Sequence, residues 1–257
     1  MFYWLITMTV LSWSFAMLYI YSWKNSWAGK TGVELAAKTE EKELRARIQA
    51  LEEMEAPDAD ILDLRVKLAQ RLMQSDKQLE ARDVLTDGEA RLLKQKSPEG
   101  SALSTLLRRA ELNRLAAIAC RQAGLYKFAA EKYDLATKLL AGADNRDAIV
   151  RFSKLALLND QAVLEYIWAN ASKDGGERKK HFVAAEGKFQ KCLAECRFCL
   201  SETEGDKSQS GSAEFMRCKR LARLSASNWA ELLKDLGRGD EIEAINKMAN
   251  EPIKRGA

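Results

Sequence analysis

Apolar side chains recur along this chain at intervals of three and four residues, the period of helices buried on one face. The clearest stretch is Ala116 to Leu140, AAIACRQAGLYKFAAEKYDLATKLL, in which two such patterns meet at Gly124. Small residues at Ala117, Ala129 and Ala136, with larger ones at Cys120 and Tyr133, have the spacing by which one helix of a pair packs into the other. A tight helical hairpin turning at Gly124 is predicted. The three prolines, Pro57, Pro98 and Pro252, all fall between predicted helices, and no alternating β-branched run supports a sheet. The pattern therefore predicts an all-α chain.

The first 23 residues break this amphipathic pattern. MFYWLITMTVLSWSFAMLYIYSW carries no charge, and as a helix it would extend roughly 34 Å, enough to cross a hydrocarbon layer of about 30 Å. A single transmembrane anchor is predicted over residues 1–23, with Trp4, Tyr21, Trp23 and Trp27 as interfacial anchors. A cleaved secretory signal would need a basic start, a shorter apolar core and a small-x-small site, none of which is present. Lys24 and Lys30 follow the span and no basic side chain precedes it, so the remainder is expected on the cytoplasmic side.

Residues 24–57 are expected to form a polar turn and a charged stalk or capping helix. Its narrow apolar stripe, Ala37, Leu44, Ile48 and Leu51, is too short for a sustained coiled coil, although pairing over a short length is an alternative. Within the turn, AGKTG does not make a phosphate-binding loop, because Lys24 stands where that loop needs its first glycine.

Beyond Pro57 the chain aligns with itself. Ala69, Ala117, Ala162 and Ala230 occupy the small position of four successive first helices, each followed by a turn and a second helix. In the second helices, Ala81 and Leu85, then Ala129, Tyr133 and Ala136, then Ala185, Phe189 and Cys192 supply the matching contacts. Gly124 and Gly237 provide turn glycines, and Asp76 stands at that place in the first unit.

These residues resemble the tetratricopeptide repeat, in places the longer kinesin-light-chain type. AGLYKFAAEKYDLA is the strongest match, while SNWAELLKDLGRGDEIEAINKMA departs from the pattern at Ile242 and Asn246, which suggests a loosely packed final helix. The resemblance implies a right-handed helical-hairpin solenoid of about four units over residues 58–250, followed by a tail at 251–257. It also implies a concave groove, lined by first helices, that receives a protein or peptide. By that register the candidate contact residues are Gln70, Arg114, Arg121, Asn159, Tyr166, Glu231 and Lys234.

Charge and chemistry narrow the function further. The chain has 257 residues and a net charge of +4, with acids and bases interspersed, so nucleic-acid binding has little support. The lone histidine, His181, is expected at the surface, and Trp168 and Trp229 in the core. No hydrolase, metalloprotease or nucleotide fingerprint occurs, so neither an enzyme activity, a cofactor nor a small-molecule substrate is expected. In CLAECRFC the cysteines resemble the iron–sulfur motif of radical SAM enzymes, but they lie late in a helical segment rather than after an early strand. A minor alternative is a metal or redox site formed by Cys196, Cys199 and Cys218, against buried core thiols. The leading expectation is a single-pass membrane-tethered adaptor or scaffold; a structural subunit or assembly factor of a membrane complex is the alternative.

Overall fold

The computed structural model describes residues 38–94, 102–204 and 213–250, so the predicted anchor at 1–23 and its interfacial aromatics lie outside the described residues. Among the described residues the regular structure is all helical, and no helix is long and apolar enough to cross a membrane. The helices are α1 (38–53), α2 (Asp58–Gln74), α3 (Gln78–Lys94), α4 (Ala102–Gln122), α5 (Tyr126–Ala141), α6 (Ala148–Ala171), α7 (Gly175–Glu204), α8 (Ala213–Asp235) and α9 (Ile242–Asn250). A single 3₁₀ turn, Gly239–Glu241, precedes α9. The chain divides into two compact units, one ending at Asp76 and the other beginning at Lys77.

In the first unit, α1 runs antiparallel to α2. Glu52 pairs with Arg65 at one end and Glu40 with Arg71 at the other, at 2.9 and 3.0 Å. Of the predicted stripe on α1, Ile48 is buried while Leu44 and Leu51 are half-buried. Ile61, Leu68, Ala69 and Leu72 form the buried side of α2. The turn after α1 ends with Glu55 in the left-handed region at φ 51°, where the Ala56 N–H donates to the Leu51 carbonyl at 2.9 Å.

In the second unit each helix from α3 to α9 packs on the next, and in addition α4 touches α6, α6 touches α8 and α7 touches α9. Two hydrophobic cores stand out among the described residues. Tyr133, Leu140, Leu157 and Leu164 lie at the centre of the core shared by α4, α5 and α6. Phe189, Cys192, Leu193, Leu232 and Leu233 belong to the core shared by α6 through α9. Burying an aromatic such as Tyr133 or Phe189 contributes up to about 3 kcal/mol, so each second helix is fixed by one large side chain between small ones.

That arrangement recurs at one spacing. Ala81, Leu85 and Gly88 on α3, Ala129, Tyr133 and Ala136 on α5, and Ala185, Phe189 and Cys192 on α7 are all buried. Small residues on either side let the neighbouring helix approach, and the large one fills the gap between turns. On α9 the register slips: Asn246 is exposed, and Ile245 and Ala249 are buried in its place, with Ile242 packed against the same core. The slip keeps the final helix on the core, because Ile245 occupies the buried face in place of Asn246.

The turns explain themselves from sequence. Gly124 and Gly237 have φ of 75° and 72°, and Asp76, at the corresponding place after α2, has 58°. Leu125 donates to the Cys120 carbonyl at 2.9 Å and Arg238 to the Leu233 carbonyl at 2.8 Å, the same six-residue closure at both glycines. The starts of α6 and α7 use carboxylates instead. Asp147 accepts from the N–H groups of Ile149 and Val150, and Asp174 accepts from that of Glu177.

Candidate functional site

The candidate face lies along α4, α6 and α8, which touch in succession; Ala117, Ala162 and Ala230, one on each, are buried at 0%, 0% and 7% exposure. Four residues on from each alanine stand Arg121, Tyr166 and Lys234, so one turn of every helix offers a polar side chain in the same register. Gln70 is exposed on α2 of the first unit.

Arg114 and Tyr166 join neighbouring helices. Arg114 donates through Nε to Asp160 Oδ2 at 2.7 Å, tying α4 to α6, and through Nη1 to Glu111 at 2.8 Å. Burial alone would lower the Arg114 pKa, but Asp160 and then Glu111 outweigh it and hold the guanidinium protonated. Tyr166 Oη donates to Asp235 Oδ2 at 2.6 Å, tying α6 to α8, and Asn170 Nδ2 reaches the same oxygen at 3.2 Å. Burial and the Asp235 carboxylate push the Tyr166 hydroxyl up to about 12.

Other predicted contact residues are placed differently. Lys234 pairs with Glu231 at 2.7 Å on the surface of α8. Arg121 is half-buried beside Tyr133, and its Nε and Nη1 have no hydrogen-bond partner among the described residues. Asn159 is only 2% exposed, so its side chain lies within the helix seam rather than on the accessible face.

His181 also differs from its surface expectation. Its ring stacks on Trp168 at 4.3 Å, Trp168 stacks on Tyr126 at 5.9 Å, and Nδ1 lies 2.6 Å from Glu165 Oε2. The histidine is drawn in because Glu165 takes the place that Leu72, Cys120 and Leu233 occupy in the other first helices, three residues after the small alanine. A carboxylate there needs partners, and His181 and Lys188 from α7 provide them. Burial would raise the Glu165 pKa, but the hydrogen bonds from Lys188 and His181 bring it below the ordinary value. This set escaped the sequence reading because its signal, a carboxylate at a seam position, is visible only once the register of the third unit is fixed.

The cysteines are core residues. Cys192, Cys196, Cys199 and Cys218 are all between 0% and 2% exposed within the α6 to α9 core. A hydrogen bond with Cys192, together with burial, raises the Cys196 thiol above its usual range. Among the described residues no group of three Cys, His, Asp or Glu side chains is placed to hold a metal ion.

The face as a whole offers hydrogen-bond donors, acceptors and mixed charge on packed helices. No family model matches the chain, and a search of curated proteins gives no match either.

Proposed function

We propose that this chain is a membrane-tethered protein-interaction scaffold, whose second unit is a tetratricopeptide-like array that takes a partner protein or peptide on the face of its first helices. Right-handed stacking of helical hairpins is part of that reading. The observation that carries it is the run of contacts from α4 to α6 to α8, with Ala117, Ala162 and Ala230 buried at one register and Arg121, Tyr166 and Lys234 one turn beyond. In helical arrays, first helices stacked side by side form the face that binds extended partners. Arginine and tyrosine suit that task, because each combines a broad contact area with directional hydrogen bonds.

In this reading the 1–23 segment is the anchor, and the array stands on the cytoplasmic side. Tethering raises the local concentration of whatever the face holds, and no catalytic step or cofactor is involved.

Photo-crosslinking in native membranes tests the proposal. A photoreactive residue placed at Arg121 or at Lys234 is expected to give the same adduct from both sites, while one at the exposed Glu131 on α5 gives none. Adducts that are equal from all three positions, or absent from the first two, would overturn it.

A further inference from the structure

A second surface lies beside α6. Between α5 and α7, with α6 as its floor, a cleft of about 590 Å³ opens where the two hydrophobic cores meet. Leu155 belongs to one core and Leu157 to the other, and both reach the cleft floor beside Leu158. Its rim is basic: Arg146, Arg151, Lys154 and Lys191 line it against one carboxylate, Glu195. Lys191 makes no ion pair or hydrogen bond among the described residues, and Phe198, two turns along α7, is 52% exposed at the same cleft.

The rim cations are held in place in different ways. Lys154 donates to the Ala143 carbonyl at 3.0 Å and to Asn145 Oδ1 at 2.6 Å, so it also clasps the α5–α6 turn. Arg146 pairs with Asp144 at 2.8 Å while its side chain stays 91% exposed. Even with Asp144 counted beside Glu195, the positive groups outnumber the negative ones, four to two.

We propose that this cleft is a docking site for an acidic, amphipathic protein segment, one with a Leu or Phe anchor between Asp or Glu residues. The floor asks for an apolar side chain and the rim for carboxylates. On α6, Arg151, Lys154 and Leu158 share one face, and on α7, Lys191 and Phe198 do, so charge and apolar surface alternate turn by turn. A peptide with acids one turn from its anchor meets both demands, and its carboxylates can pair with Lys191 and Arg146 without stripping water from a buried charge. This site is separate from the face of the first helices, and neither depends on the other.

The test uses the full chain in detergent and a short fluorescein-labelled peptide with a Leu-Leu-Phe centre between runs of Glu, followed by anisotropy. Binding is expected, with about a tenfold loss for the Arg146→Glu and Lys191→Glu double variant and a comparable loss for Phe198→Ser. Affinity should also fall with added salt, since the Debye length is about 10 Å at 0.1 M. Circular dichroism checks that the variants, all at exposed side chains, keep their helices. Lys127→Glu, at an exposed position outside the cleft, is expected to leave binding unchanged. The proposal is overturned by any of three results: no binding, equal binding to the charge-reversed variant, or equal binding by an all-Glu peptide without the apolar centre. Uptake of submicellar dodecanoate without uptake of the peptide would likewise overturn it, by assigning the cleft to a small amphiphile.

Discussion

Replacing a glycine by alanine should have opposite effects at three places in the second unit. At Gly124 and Gly237, with φ of 75° and 72°, nothing stands within 4 Å of the site where a Cβ would be added. Alanine therefore meets no clash, and its cost is the conformational one alone, about 1–2 kcal/mol for an L-residue in the left-handed region. Against this, alanine narrows the unfolded ensemble and returns about 0.4–1 kcal/mol. The net expectation is a loss of about 1 kcal/mol at either turn. Gly187 is exposed within α7 and also has open space around it, but its backbone is helical. There alanine should stabilise by about 0.8–1 kcal/mol. Urea unfolding of the full chain in detergent, followed by far-ultraviolet circular dichroism, reads each change as a shift in midpoint at constant slope. Because the two turns share no partners, Gly124→Ala and Gly237→Ala should add in the double variant. A Gly124→Ala protein as stable as the parent, or one stabilised like Gly187→Ala, would show that the left-handed turn does not constrain this position.

Other perturbations probe buried polar groups. Glu89, 7% exposed, accepts from Asn113 Nδ2 at 2.6 Å and faces Lys132 and Arg109, so Glu89→Ala should cost about 3 kcal/mol in the same urea assay by leaving those groups without their acceptor. Tyr133 is fully buried, and its Oη has no hydrogen-bond partner among the described residues; Tyr133→Phe should then be neutral or stabilising by about 1 kcal/mol, and a loss of that size would reveal a bound water instead. Glu165 has a lowered pKa in the folded chain, so its contribution is complete above the unfolded carboxylate value near pH 4.3 and disappears as pH falls through the lower folded value. Thermal melts of Glu165→Gln should accordingly be well below the parent at neutral pH and converge on it in acid, and a constant gap across that range would contradict the linkage.

Much of the fold could be read from spacing because the seam is built from residues with a single use. An alanine such as Ala117 or Ala162 has nothing to offer but its small size, and a glycine such as Gly124 little but its left-handed freedom, so finding them at regular places locates the helices that need them. Asp76 carries the same message less audibly, since aspartate tolerates the left-handed region yet is used in many other ways. The candidate face was harder. Which polar residue on a first helix remains accessible depends on what the adjacent helix brings, and Asn159 on α6 is covered while Arg121 on α4 is only half so. Arg114 and Tyr166 are tied to Asp160 and Asp235 across gaps of 46 and 69 positions, pairings that no local pattern announces. The same holds for the basic cleft, whose cations come from a turn and two helices that look in sequence like ordinary charged surfaces.

The five buried thiols give the chain a chemical clock for its own opening. Cys120 belongs to the core of α4 to α6, and the other four belong to the core of α6 to α9. A thiol reagent can reach either set only when the helices above it part, so the rate of modification reports local opening rather than intrinsic reactivity. Adducts counted by intact mass would arrive singly if the first core loosens alone and as a group if the second does. The order in which they appear would say which half of the array yields first, without a single engineered probe.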